Sequence, residues 1–103
     1  MNKVDFYVGV EFNGEGDYLD TAEIEFGRRA IHLTLVNTYG GYTRTPASGI
    51  YEDFPIEAVE IYTVLQNATI LPADARNVAE ILAIAMKQKS VLFFITKGEG
   101  GFS

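Results

Sequence analysis

The chain contains no cysteine and no tryptophan, and His32 is its single histidine among 103 residues. Without cysteine there is no disulfide framework, no thiol nucleophile and no thiolate metal site. With one histidine, the ligand set of a structural zinc centre is lacking too. No Ser-His-Asp or Cys-His arrangement can be assembled, and no Gly-x-Ser-x-Gly elbow is present. Positive charge is scarce: 8 Lys and Arg stand against 14 Asp and Glu, for a net charge of −6. Such a chain repels phosphate backbones. Its one adjacent basic pair, Arg28-Arg29, is not the clustered footprint of a nucleic-acid binder, so nucleic acid is not an expected partner. Long apolar runs are missing as well, which argues against a membrane span, and no apolar h-region follows Met1. The expectation is a soluble, cytoplasmic protein with no cofactor and no metal.

What is present is an apolar share of 48%, which suits one folded domain over residues 1–103. Its ordered core is expected over about 3–96, followed by a flexible glycine-rich tail over 97–103. Val4 to Phe12 alternates, with Phe6, Val8, Val10 and Phe12 on one face, and reads as a half-buried strand. Asp20 is placed as a helix N-cap with Glu23 three residues on, in the capping-box position. Ile24, Gly27, Ile31 and Leu35 then recur at helical spacing, with Phe26, Ala30 and Leu33 widening the stripe. Either Asn37 or Gly40 closes this helix. A close approach to the sheet would account for Gly27.

Gly41 to Thr45 reads as a short strand and Pro46-Ala47-Ser48-Gly49 as a turn. Ala58 to Gln66 is a strong strand, with Val59, Ile61 and Leu65 on one face and Glu60, Tyr62, Val64 and Gln66 on the other. Pro72 opens a second helix carrying Val78, Ile81, Leu82, Ala85 and Met86, with Asp74 near its start and Lys87 and Lys89 in its last turn. Val91 to Ile95 is a short apolar run that reads as a strand packed on both faces. The order β, α, β, β, α, β predicts an α+β, ferredoxin-like fold: a four-stranded antiparallel sheet with two helices on one face.

That fold leaves the second face of the sheet open. With Phe6 and Val8 turned to the helices, the open face is expected to carry Tyr7, Tyr62, Val64 and a residue of the last strand such as Phe94. So apolar a face points to an interface or a ligand site. Tyr42 and Arg44, beside Tyr39 and Tyr51 at the central hairpin, join these as interface candidates because tyrosine and arginine are common at binding hot spots.

His32 is the one candidate base, although its place in a helical run suits an exposed or helix-end histidine better. Gly14-Glu15-Gly16 lacks the third glycine of a dinucleotide loop and is read as a turn. Asn13, Glu15, Asp17 and Asp20 offer oxygen ligands, but Tyr18 and Ile24 stand where a calcium loop needs glycine and glutamate. Glu52-Asp53 and Glu57-x-x-Glu60 are carboxylate pairs that nothing places in a pocket.

Four short motifs lie along the chain: Gly40-Gly41-Tyr42-Thr43, Gly49 with Glu52, Val59-Glu60-Ile61-Tyr62-Thr63, and Gln88-Lys89-Ser90-Val91-Leu92. In these the sequence resembles a loose group of short uncharacterised phage and bacterial proteins, while lacking the tryptophan expected in the hairpin of that group. The resemblance implies a ferredoxin-like fold and a phage or mobile-element setting, hence the host cytoplasm. It supplies no activity and no catalytic residues. The function expected is a non-enzymatic binding module that forms a homo-oligomer through its open face and binds a protein partner. The alternative is a small dimeric α/β-barrel enzyme or ligand-binding protein with its pocket on that same face.

Overall fold

The computed structural model describes residues 1–51 and 54–98. Six elements follow one another: β1 (Asn2–Gly9), α1 (Thr21–Tyr39), β2 (Thr43–Tyr51), β3 (Phe54–Gln66), α2 (Pro72–Ala85) and β4 (Leu92–Lys97). The strands make a four-stranded sheet in the order β2-β3-β1-β4, antiparallel at every pairing. The expected α+β class and element order are therefore observed. Glu52, Asp53 and the tail from Glu99 onward lie outside the described residues, as does the side chain of Tyr51. Among the described residues no helix is long and apolar enough to cross a membrane.

Local chemistry sets the helix ends. Asp20 caps α1: its Oδ1 accepts from the Glu23 backbone N–H at 2.7 Å, and Glu23 Oε1 accepts from the Asp20 N–H at 3.1 Å. Both halves of a capping box are thus present with Asp in place of the usual Ser or Thr. Gly40 closes the helix in the left-handed conformation (φ 87°), its N–H bonding the Val36 carbonyl at 2.9 Å. Asp74 sits in the first turn of α2 as a favourable charge and not as a cap, since Leu71 occupies the N-cap position without a side-chain bond. Helix α2 ends at Ala85, so Lys87 and Lys89 lie beyond its last turn. Lys87 adopts a left-handed backbone and pairs with Glu23.

Val4, Phe6 and Val8 of β1 are fully buried. Phe6 stands opposite Tyr62 on β3 and Phe93 on β4, and Val4 opposite Val64 and Ile95. These residues share one cluster with Ile31 and Leu35 of α1 and Val78 and Leu82 of α2. Both helices therefore cover the same face of the sheet. Burying that apolar surface is the main stabilising term, at about 1.5–3 kcal/mol for each large side chain.

Several boundaries depart from expectation. β1 ends at Gly9, and Phe12 instead stacks on Tyr18 across an isolated bridge, with ring centres 4.6 Å apart. β2 runs straight through Pro46 to Tyr51, where a turn was expected. It is an edge strand, and an edge tolerates a residue with no N–H to donate. Phe26 is 74% exposed, and Leu33, Ile81 and Ile84 are exposed too, so the buried stripes of both helices are narrower than their apolar content. Gly27 marks a close approach, but to α2 and not to the sheet: a Cβ there would stand 2.8 Å from Met86 Sδ and 2.9 Å from the Ala85 carbonyl.

The largest correction concerns β3. Tyr62 (1% exposed) and Val64 (0%) face the helices, not the open side. Register decides this, because Tyr62 and Val64 pair with the inward residues Phe6 and Val4. A one-residue slip would send every side chain to the other face. β4 follows the same rule. Phe93 and Ile95 pack inward while Leu92 and Phe94 are exposed, so this strand is not covered on both sides.

Candidate functional site

The open face takes the odd-numbered residues of the central strands. Tyr7 lies between Ile61 of β3 and Leu92 of β4. Phe94 meets the Tyr7 ring edge-on, with centres 5.9 Å apart at 88°. Leu92 and Phe94 are 49% and 54% exposed, and Leu65 is exposed at the end of the same face. Lys3 and Asp5 sit beside this strip and pair with each other, Lys3 Nζ lying 3.5 Å from Asp5 Oδ2, while Glu57 of β3 lies over Gly9 at the far end of the same face. Asp5 Oδ1 also accepts from the Thr63 hydroxyl at 2.6 Å. Of the sequence-selected candidates, Tyr7 and Phe94 come together here.

A second group assembles on the other side of the sheet, between α1 and the edge strand β2. Its centre is Glu60, the buried carboxylate displaced inward with Tyr62 and 4% exposed. Arg28 of α1 grips it with two bonds, Nε to Oε1 at 3.0 Å and Nη2 to Oε2 at 2.9 Å. The Tyr62 hydroxyl donates to Oε1 at 2.9 Å. Two Arg bonds and a hydroxyl satisfy the hydrogen-bonding capacity of this buried carboxylate. Burial, then the charge of Glu60, pushes the Tyr62 hydroxyl far above the ordinary tyrosine range, so it remains a donor. The Glu60 bond likewise raises the pKa of Arg28.

Arg44 of β2 stands beyond this pair, with Nε 3.6 Å from Glu60 Oε2. The Tyr42 ring packs on Tyr62 at 5.5 Å, and the Tyr42 hydroxyl lies 2.9 Å from His32 Nδ1. His32, Val36, Gly41, Tyr42 and Arg44 line a shallow cavity of about 510 Å³.

Thus His32, Tyr42, Arg44 and Tyr62 converge on one site, while Val64 is pure core. Tyr39 turns to the core, packing on Phe6 with centres 6.5 Å apart, and its buried hydroxyl has no hydrogen-bond partner among the described residues. Sequence reasoning missed Glu60 and Arg28. Period two did place Glu60 on the same face as Tyr62 and Val64, and a carboxylate on that face demands a cation from a covering element. The acidic turn is closed by its own chemistry: Asn13 Oδ1 accepts from the N–H groups of Glu15 at 2.8 Å and Asp17 at 3.0 Å. No protein-family model matches this chain, and no curated protein matches it.

Proposed function

We propose that the protein is a small non-enzymatic interaction module that pairs with a second copy of itself through the open sheet face. The observation that carries this is the contiguous apolar strip of Ile61, Tyr7, Leu92 and Phe94 that no helix covers. Patches of this kind on a small domain mark interaction surfaces. A second copy suits it because the charged residues beside Tyr7, Lys3 and Asp5, balance each other. Two chains of net charge −6 approach each other at least cost through a surface whose Lys3 and Asp5 already cancel. The competing barrel-enzyme reading needs an enclosed pocket on this face with a titratable group inside, His32 or a tyrosine such as Tyr7. Tyr7 is on this face, but His32 lies on the helix side of the sheet with Tyr42, and the exposure of Leu92 and Phe94 favours the non-enzymatic reading.

The ferredoxin-like assignment belongs to the same proposal. Followed from the other edge, the strand order is β4-β1-β3-β2, two interlocked βαβ halves, and that supports the assignment. A cytoplasmic, phage-associated setting and a further protein partner are also part of it and rest on the sequence reading alone.

Light scattering tests the dimer. The wild-type chain should run at twice its own mass, and Phe94→Asp at the single-chain mass with an unchanged circular dichroism spectrum. Phe26→Asp, on the outer surface of α1, should leave the dimer intact. A wild-type chain that stays monomeric at its highest soluble concentration would end the proposal.

A further inference from the structure

Glu60 is already satisfied by Arg28 and Tyr62. Arg44, at 3.6 Å, is near enough to feel its charge but too far to hydrogen-bond it. Arg44 has no other ion pair or hydrogen bond among the described residues. Two guanidinium groups therefore share one carboxylate. Arg44 is left without a hydrogen-bonded counter-charge, at the mouth of a cavity, on a chain of net charge −6. The same cavity holds a second polar group, because the contact of His32 Nδ1 with the Tyr42 hydroxyl leaves Nε2 as the ring nitrogen free for a ligand. Val36 supplies an apolar wall, and at Gly41 a Cβ would meet nothing within 4 Å, so that side of the cavity is open.

We propose that this groove between α1 and β2 binds the carboxylate of a small organic acid, with Arg44 as the principal contact and His32 as the second. The planar fork of arginine matches the two carboxylate oxygens. A phosphate dianion fits less well. The groove lies beside the C-terminal half of α1, where the helix dipole is negative, and Arg44 is the one cationic side chain among the residues that line it. An apolar body on the acid would lie along Val36 and the Tyr42 ring, so an aromatic acid should bind more tightly than acetate.

The test is a titration of isotope-labelled protein with benzoate, acetate and inorganic phosphate at constant ionic strength, followed by nuclear magnetic resonance. Benzoate should give saturable shifts of the Arg44 Nε–H, the His32 ring and the Gly41 amide, at lower concentration than acetate, with phosphate weakest. Arg44→Met should weaken benzoate by about tenfold or more, the usual scale for a lost charge-assisted contact. Glu60 keeps Arg28 in that variant, so the core is retained. Gly41→Glu should block the groove with a tethered carboxylate while leaving the Glu60 cluster untouched. Shifts that never saturate, phosphate binding at least as tight as benzoate, or unchanged affinity in both variants would overturn the assignment. None of these outcomes depends on the oligomeric state, which belongs to the opposite face of the sheet.

Discussion

Glu60 shows how much one side chain asks of its neighbours. It is buried, and its burial is tolerated because Arg28 and Tyr62 supply three hydrogen bonds. Glu60→Gln should lower unfolding free energy in a urea melt by about 2–3 kcal/mol. That is less than the about 3–5 kcal/mol typical of a fully buried pair, because the Arg28 side chain keeps 37% of its exposure. Gly27 poses a steric problem. Alanine gains about 1 kcal/mol of helix propensity, but its Cβ would press on Met86 Sδ at 2.8 Å and on the Ala85 carbonyl at 2.9 Å. The sulfur can move and the backbone carbonyl cannot, so Gly27→Ala should be net destabilising in a thermal melt. Glu57 titrates the other way from most carboxylates. Its Oε1 is buried without a partner among the described residues, and burial, with the charge of Glu11 adding, raises its pKa above 4.5, against a lowering bond from the Phe12 N–H. The folded state then holds the proton more tightly than the unfolded state. Stability is reduced above the folded pKa and recovers as pH falls to 4.5 and below. Glu57→Gln should therefore be more stable than the wild type at neutral pH, with the gap closing in acid; a gap that is constant with pH would count against the burial of this carboxyl.

At the scale of elements, the capping box of α1 makes the strongest local prediction. Asp20→Ala removes the acceptor for the Glu23 N–H and should cost about 1 kcal/mol, read as a lower denaturant midpoint at unchanged slope. That helix start was legible in the sequence because capping is local: Asp20, Glu23 and Gly40 act within a few residues of where they stand. The phase of β3 was not legible for the opposite reason. Val59, Ile61 and Leu65 are more apolar as a set than Glu60, Tyr62 and Val64, and composition alone turns them inward. What reverses the strand is its pairing with β1 and a cation arriving from α1, neither of which leaves a trace within the strand itself. Pro46 misleads similarly, since a proline reads as a turn until the strand is known to lie at a sheet edge. The polar site inherits the same split. Tyr42, Arg44, Tyr62 and His32 were visible as single candidates, and their convergence depends on the β3 register.

Over the whole molecule, net charge and the apolar strip of the open sheet face act against each other in the proposed dimer. Each chain carries −6, while Lys3 and Asp5 neutralise each other on the strip that Tyr7, Ile61, Leu92 and Phe94 make. Two copies joined there would bring the balanced Lys3–Asp5 pair into contact, while their remaining charges, Glu57 at the end of the same face among them, would repel through solvent. Salt should therefore strengthen the dimer. Between ionic strengths of about 0.01 M and 0.15 M the screening length falls from about 30 Å to about 8 Å, shorter than the 26 Å minimum extent of one chain. Repulsion across the assembly is then largely lost, while burial of the apolar strip is unaffected. Sedimentation equilibrium across this range should show the dissociation constant falling as salt rises. It should also show Phe94→Asp as a monomer at both ends, since the variant places a like charge on each side of the contact. A dissociation constant that rises with salt would mean that ion pairs hold the copies together, and would move the interface away from this strip to a more highly charged part of the surface.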